Sequence, residues 1–126
     1  MSTIKANTLT GTSTAGSIAV TGEGNSTTTN LQQGLIKAWN NTSTDGTTIQ
    51  DSFNIASLTD SNIGRQNHNV SNLFASQYHV PTFSVDNNTN QQWTSNMTTG
   101  GWKTSNYTGS AYVDVIIRTG SSGDLA

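Results

Sequence analysis

The densest run of β-branched residues in the chain is Ala111-Tyr-Val-Asp-Val-Ile-Ile-Arg118, and it predicts a strand. In that strand Val113, Val115 and Ile117 share one face, while Tyr112, Asp114, Ile116 and Arg118 share the other. The first set belongs against a core. The second mixes aromatic and charged groups and suits a half-wet or subunit-facing surface. A single strand buries nothing alone, so the remaining chain is expected to close around it. The expected fold is all-β: a small antiparallel β-sandwich with an extended Gly/Thr-rich N-terminal arm. Composition agrees with this. Only 10% of residues are charged and 31% are hydrophobic, yet there are three Trp and three Tyr. Disordered chains tend to carry more charge; a Thr-rich, aromatic-bearing chain fits strands joined by long polar loops. A core this sparse is a weak source of stability for a lone monomer, so self-association is expected.

The same composition excludes several function classes. The basic residues Lys5, Lys37, Arg65, Lys103 and Arg118 are scattered, so no stripe tracks a phosphate backbone and nucleic acid is not an expected partner. Cysteine is absent, which removes disulfide scaffolds and thiolate zinc sites. No window approaches a membrane span, and Met1 to Asn7 lacks the apolar run of a signal peptide.

Three regions follow along the chain. Residues 1–30 read as an extended arm, with Ile4, Leu9 and Ile18 as its apolar anchors and glycines between them. Such an arm docks on a neighbour through backbone hydrogen bonds and a few apolar contacts. Residues 31–118 form the β-sandwich module. A strand through Trp39 and a turn at Asp45-Gly46 lead into a second strand over 47–57, bulged near Asp51. Tyr78 to Val85 is a further strand, which Pro81 restricts to a sheet edge or a bulge. A polar loop is expected over 86–92, then short ribbons through Trp93 and Trp102. Residues 119–126 read as a flexible tail, with Leu125 a contact for a neighbour. Trp39, Phe53, Val113, Val115 and Ile117 are the expected core.

Gly34-Leu-Ile-Lys-Ala-Trp39, a polar turn, and Ile49-Gln-Asp-Ser-Phe-Asn-Ile-Ala-Ser-Leu-Thr-Asp60 resemble a recurring module of bacteriophage tail fibres and other virion appendages, especially in phages of marine cyanobacteria. Tyr112-Val-Asp-Val115 resembles its closing strand, and Met1 to Asn7 its short leader. The chain departs from the family after Asp60, where Ser61 to Val70 replaces an Asn-Gly-Thr-Gly-Asp-Tyr continuation. The resemblance implies a virion structural protein that commonly trimerises.

No residue pattern points to catalysis or a cofactor. Asp51 and Asp60 sit near expected turns, where carboxylates accept backbone N–H groups, and Ser52 lacks a nucleophile-elbow context. His68 lies in an expected Asn-rich turn and His79 on an expected strand surface, without metal spacing. Trp93, Trp102, Tyr112, Asp114 and Arg118 are the candidates for an interface or for glycan contact. The chain has room for one module and not for a long shaft or coiled coil. It is therefore expected to be a non-enzymatic capsid decoration or cement protein on the virion surface. Alternatives are a tail-fibre or fibre-adaptor subunit and a carbohydrate-binding host-adhesion module. Expected partners are itself, as a homotrimer, the major capsid or tail proteins, and host surface polysaccharide.

Overall fold

A computed structural model describes residues 3–12, 18–21, 28–31, 34–85 and 91–126. The chain divides into two units, 1–35 and 36–126. In the first, β1 (Ala19–Thr21) and β2 (Thr28–Asn30) form an antiparallel hairpin, with Val20 opposite Thr29. The Leu31 N–H donates to the Ile18 carbonyl at 2.7 Å and extends the pairing. Ile4 and Leu9 are exposed, and Ile18 is half-buried.

The second unit is an all-β sandwich with no helix among the described residues. Its strands are β3 (Ile36–Thr42), β4 (Ile49–Phe53), β5 (Ile55–Asn62), β6 (Arg65–Val70), β7 (Val80–Val85), β8 (Gln91–Thr98), β9 (Gly101–Tyr107) and β10 (Ile117–Ser122). They make two four-stranded antiparallel sheets packed on each other, ordered β4-β3-β10-β7 and β5-β6-β9-β8. The β3–β4 hairpin closes at the expected Asp45-Gly46 turn. There Gly46 has φ 69°, and the Asp45 carboxylate accepts the Thr47 N–H at 3.0 Å and the Ser43 hydroxyl. β7 carries Pro81 at a sheet edge, where a missing donor costs no ladder bond.

The second strand expected over 47–57 is two strands in different sheets. Asn54 makes the switch, with φ 56° in the left-handed region that Asn tolerates. Its side chain holds the corner. Nδ2 donates to the Lys37 carbonyl at 3.0 Å and the Asn72 carbonyl at 3.2 Å, while Oδ1 accepts the Asn72 N–H at 2.7 Å.

The Ala111–Arg118 strand is also corrected: only Ile117 and Arg118 of it lie in a strand. Residues 108–116 carry the chain from β9 in one sheet to β10 in the other; they first turn back on the end of β9, where Tyr112 bridges Tyr107 and the Val113 N–H donates to the Asn106 carbonyl at 3.3 Å. Val115 and Ile117 are buried as expected, and Val113 is half-buried. The tail reading fails from Thr119 to Ser122, which continue β10 between β3 and β7. Thr119, Gly120 and Ser121 are small enough to sit buried there. Leu125 packs on this chain's own core and bridges Phe74. The loop expected at 86–92 falls outside the described residues up to position 90, and Gln91 and Gln92 already belong to β8.

Trp39, 36% exposed, and Phe53, 54% exposed, are not core residues. The pleat turns Ala38, Asn40 and Thr42 inward instead. Trp102, only 2% exposed, arrives from the opposite sheet and fills the space beside Ala38, together with Val70 and Phe74. One large ring from one side leaves room only for small groups on the other.

Gly101 marks how tightly that side closes. It has φ 142°, and a Cβ built there would lie 1.9 Å from the His68 carbonyl oxygen; at Gly100 the nearest atom would be 3.7 Å away. Gly101→Ala is therefore expected to cost ~3 kcal/mol or more, from strain and overpacking together. Gly100→Ala should leave the urea midpoint within error of the parent. Equal midpoints for the two variants would contradict the packing described.

Candidate functional site

Alternation along β6, β9, β3 and β10 sends Gln66, His68, Trp102, Thr104, Asn106, Asn40, Thr119 and Ser121 into the space between the sheets. Both histidines are there. His68 is 0% exposed on β6 rather than in a turn, and His79 is buried rather than on a strand surface. A neutral His68 protonated on Nδ1 satisfies both neighbours: Nδ1–H donates to Asn40 Oδ1 at 3.0 Å, and Nε2 accepts the Thr104 hydroxyl at 3.0 Å. Its ring stacks on Trp102, with centroids 5.4 Å apart. Trp102 Nε1–H donates to Thr119 Oγ1 at 3.1 Å, and that hydroxyl donates onward to the Thr82 carbonyl at 2.7 Å. His79 stacks on Phe74 at 4.0 Å, donates from Nε2 to the Thr98 carbonyl at 3.0 Å and accepts the Ser121 hydroxyl at 2.7 Å. These are structural histidines. No group of three or more potential metal-binding side chains (His, Cys, Asp or Glu) occurs among the described residues.

Asp51 and Asp60 lie on different sheets, on β4 and β5 respectively. Asp51 Oδ1 accepts the Ser52 N–H at 2.9 Å and Asp60 Oδ1 accepts the Asn62 N–H at 3.1 Å, both local backbone contacts.

The residues expected to form an interface or glycan contact separate into three places. Trp102 is interior, as above, because its position on β9 faces the opposite sheet. Arg118 is exposed on the outer face of the β4-β3-β10-β7 sheet. Tyr112 and Trp93 do meet, beside the β5-β6-β9-β8 sheet, with ring centroids 6.0 Å apart. Tyr107 lies 5.1 Å from Tyr112, and the Arg65 guanidinium sits 3.8 Å over the Tyr112 ring. Asp114 Oδ1 accepts the Gly64 N–H at 2.6 Å and so fixes the β5–β6 turn. Tyr112, Asp114, Ile116 and Arg118 do not share the expected strand face, because only Arg118 of them lies in β10.

The site that sequence reading missed is the outer face of β4-β3-β10-β7. Cross-strand register aligns Phe53, Trp39, Gly120 and Thr82 in one row and Asp51, Asn41, Arg118 and Ser84 in the next. Gly120 leaves a gap beside Trp39, and an open groove of about 390 Å³ lies over it. Ile36, Trp39 and Thr82 wall the groove, and Asn41, Asp51 and Arg118 make its polar end. Ile36 and Val80 extend the exposed apolar surface. The arrangement offers shape, apolar area and charge to whatever would lie on it.

Comparison with protein families, curated proteins and solved structures finds no match to this chain. No helix among the described residues is long and apolar enough to cross a membrane.

Burial drives the His68 pKa from 6.5 down to about 4. Between those values the unfolded chain takes up a proton that the folded chain refuses, so stability falls as pH drops from about 6.5 towards 4 and levels off below. The contribution, fully present above pH 6.5, is on the order of 3 kcal/mol. Urea titrations of the parent and His68→Gln across this range should show a steep loss in the parent and a shallower one in the variant. Parallel curves would show that His68 carries no such linkage.

Proposed function

We propose that this protein is a structural component of a bacteriophage virion, a decoration or cement protein on the outer surface of the capsid. The observation that carries the reading is where apolar side chains are left. The chain is poor in them, yet among the described residues more large ones are exposed than are buried. They are exposed on both units: Ile4, Leu9 and Val20 in the first, and Ile36, Trp39, Phe53 and Val80 on one sheet face of the second. A small protein that withholds apolar area from its own core in two places is built to be covered by other protein. The resemblance of residues 34–60 and 107–118 to virion appendage modules supports the same reading. A tail-fibre or fibre-adaptor role draws on the same features, and stoichiometry in purified particles separates them: capsid-like copy number for decoration, tail-like for a fibre.

A second reading, adhesion to host polysaccharide, is favoured by the Trp93–Tyr107–Tyr112 cluster, where partly exposed rings with Arg65 beside them offer faces for sugar stacking. Retention on host polysaccharide that Trp93→Ala abolishes would favour it over the cement role.

In the cement role the first unit supplies attachment. Replacing Ile4, Leu9 and Ile18 together by Ser should leave the melting temperature of the sandwich unchanged. Binding to particles stripped of the protein should weaken by at least about tenfold, since each side chain loses contact area gained only on docking. Normal binding by the triple variant would remove the arm from the attachment mechanism.

A further inference from the structure

We propose that the outer face of the β4-β3-β10-β7 sheet is a self-complementary interface that pairs two copies of this chain around a two-fold axis running along β3. The register sets up the pairing. Asn41 on β3 is flanked by Asp51 on β4 and Arg118 on β10, and Trp39 is flanked by Phe53 and Gly120. All six positions lie on one face, because residues two apart on a strand point the same way and cross-strand partners share a side. A two-fold axis along β3 carries β4 of one copy over β10 of the other. Each Asp51 then faces the second copy's Arg118, and each Phe53 faces the second copy's Gly120. Acid meets base twice, and a large ring meets a missing side chain twice. Trp39 meets its own copy on the axis, where an offset ring pair is accommodated. Two sheet faces packed this way lie about 10 Å apart, near the aligned angle of natural sandwiches.

A two-fold interface requires a patch complementary to itself, and few faces meet that condition in both shape and charge. Here Gly120 is the buried floor of the groove: a Cβ added there would meet the Ala38 carbonyl oxygen and Ile36 Cγ2 at 3.4 Å and Trp39 Cβ at 3.5 Å, ordinary contact distances, so glycine is not demanded by its own strand. The groove over Gly120, with Trp39 as one wall, is the concavity that the second copy's Phe53 fills. Asp51 and Arg118 are both exposed at its polar end. This pairing covers the apolar sheet face of the second unit with a second copy and leaves the first unit for attachment; it is read on the purified chain, so its failure is distinguishable from failure of the proposed function.

Charge reversal tests the axis as well as the face. In Asp51→Arg alone both symmetry-related contacts become base on base, and in Arg118→Asp alone both become acid on acid. Each variant alone should dimerise about a hundredfold more weakly than the parent. Mixed in equal amounts, the two variants restore acid on base at both contacts, so the mixture should recover a dimer. Sedimentation velocity across the micromolar range reads all four samples, with far-UV circular dichroism confirming that each variant is folded. Gly120→Val provides an independent arm: it raises the floor of the groove and should yield a monomer, with circular dichroism showing that it is folded. A monomeric or trimeric parent, a mixture no more associated than its components, or a Gly120→Val protein that still dimerises would each overturn the proposal.

Discussion

The structure depends on a polar interior that is hydrogen-bonded across the gap between its sheets. Few proteins of this size can spare so much inner surface for His, Asn, Gln, Thr and Ser, because each such group loses water on burial and needs a replacement partner. Here some partners come from the facing sheet and some from neighbouring strands of the same sheet, while Gln66 Oε1, Asn40 Nδ2 and the Asn106 side-chain amide are buried without a partner among the described residues. Asn40 and Thr119 sit on the sheet opposite His68 and Trp102, so the contacts made by the imidazole and the indole hold the two layers in register. Stacking of Trp102 on His68 and of Phe74 on His79 adds the dispersion contact that aliphatic side chains supply elsewhere. An interior of this kind is directional. A shift of one sheet against the other breaks hydrogen bonds, whereas an aliphatic core would yield by repacking.

That interior explains the surface. Once Trp102, Phe74, His68 and His79 occupy the gap, β3 can turn only Ala38, Asn40 and Thr42 inward. Trp39 and Phe53 are then forced outward as a cross-strand pair. The exposed aromatic face is the geometric remainder of how the core was filled. Glycine at position 120 deepens it at the one place where β10 passes beside Trp39.

The corner at Asn54 connects these two levels. A single left-handed residue passes the chain from the sheet that carries the exposed face to the sheet that carries His68. Its side chain ties that corner to β3 and to the segment leading to Phe74. The stretch Asp51-Ser-Phe-Asn54 thus meets three requirements. Asp51 belongs to the outer polar row, Phe53 to the outer apolar row, and Asn54 to the switch between layers.

The sequence by itself determined the all-β class, the Asp45-Gly46 turn, the restriction of the strand with Pro81 to an edge or a bulge, and the burial of Val115 and Ile117. These rest on local chemistry: turn dihedrals, a missing amide donor, and the hydration cost of branched apolar groups. It did not determine which face of β3 lies inside. Period-two alternation defines two faces, and the choice between them belongs to whatever stands across the gap. Only the tertiary structure decided that Trp102 goes in and Trp39 out, that the two histidines are bonded core residues, and that Thr119 to Ser122 form a central strand. Each of those outcomes depends on a partner distant in the chain: Asn40 for His68, Thr119 for Trp102, and two flanking strands for a segment too small and polar to announce itself. Burial of a polar side chain becomes favourable only when its hydrogen-bonding partner is brought opposite, and that is a property of the assembled sheets.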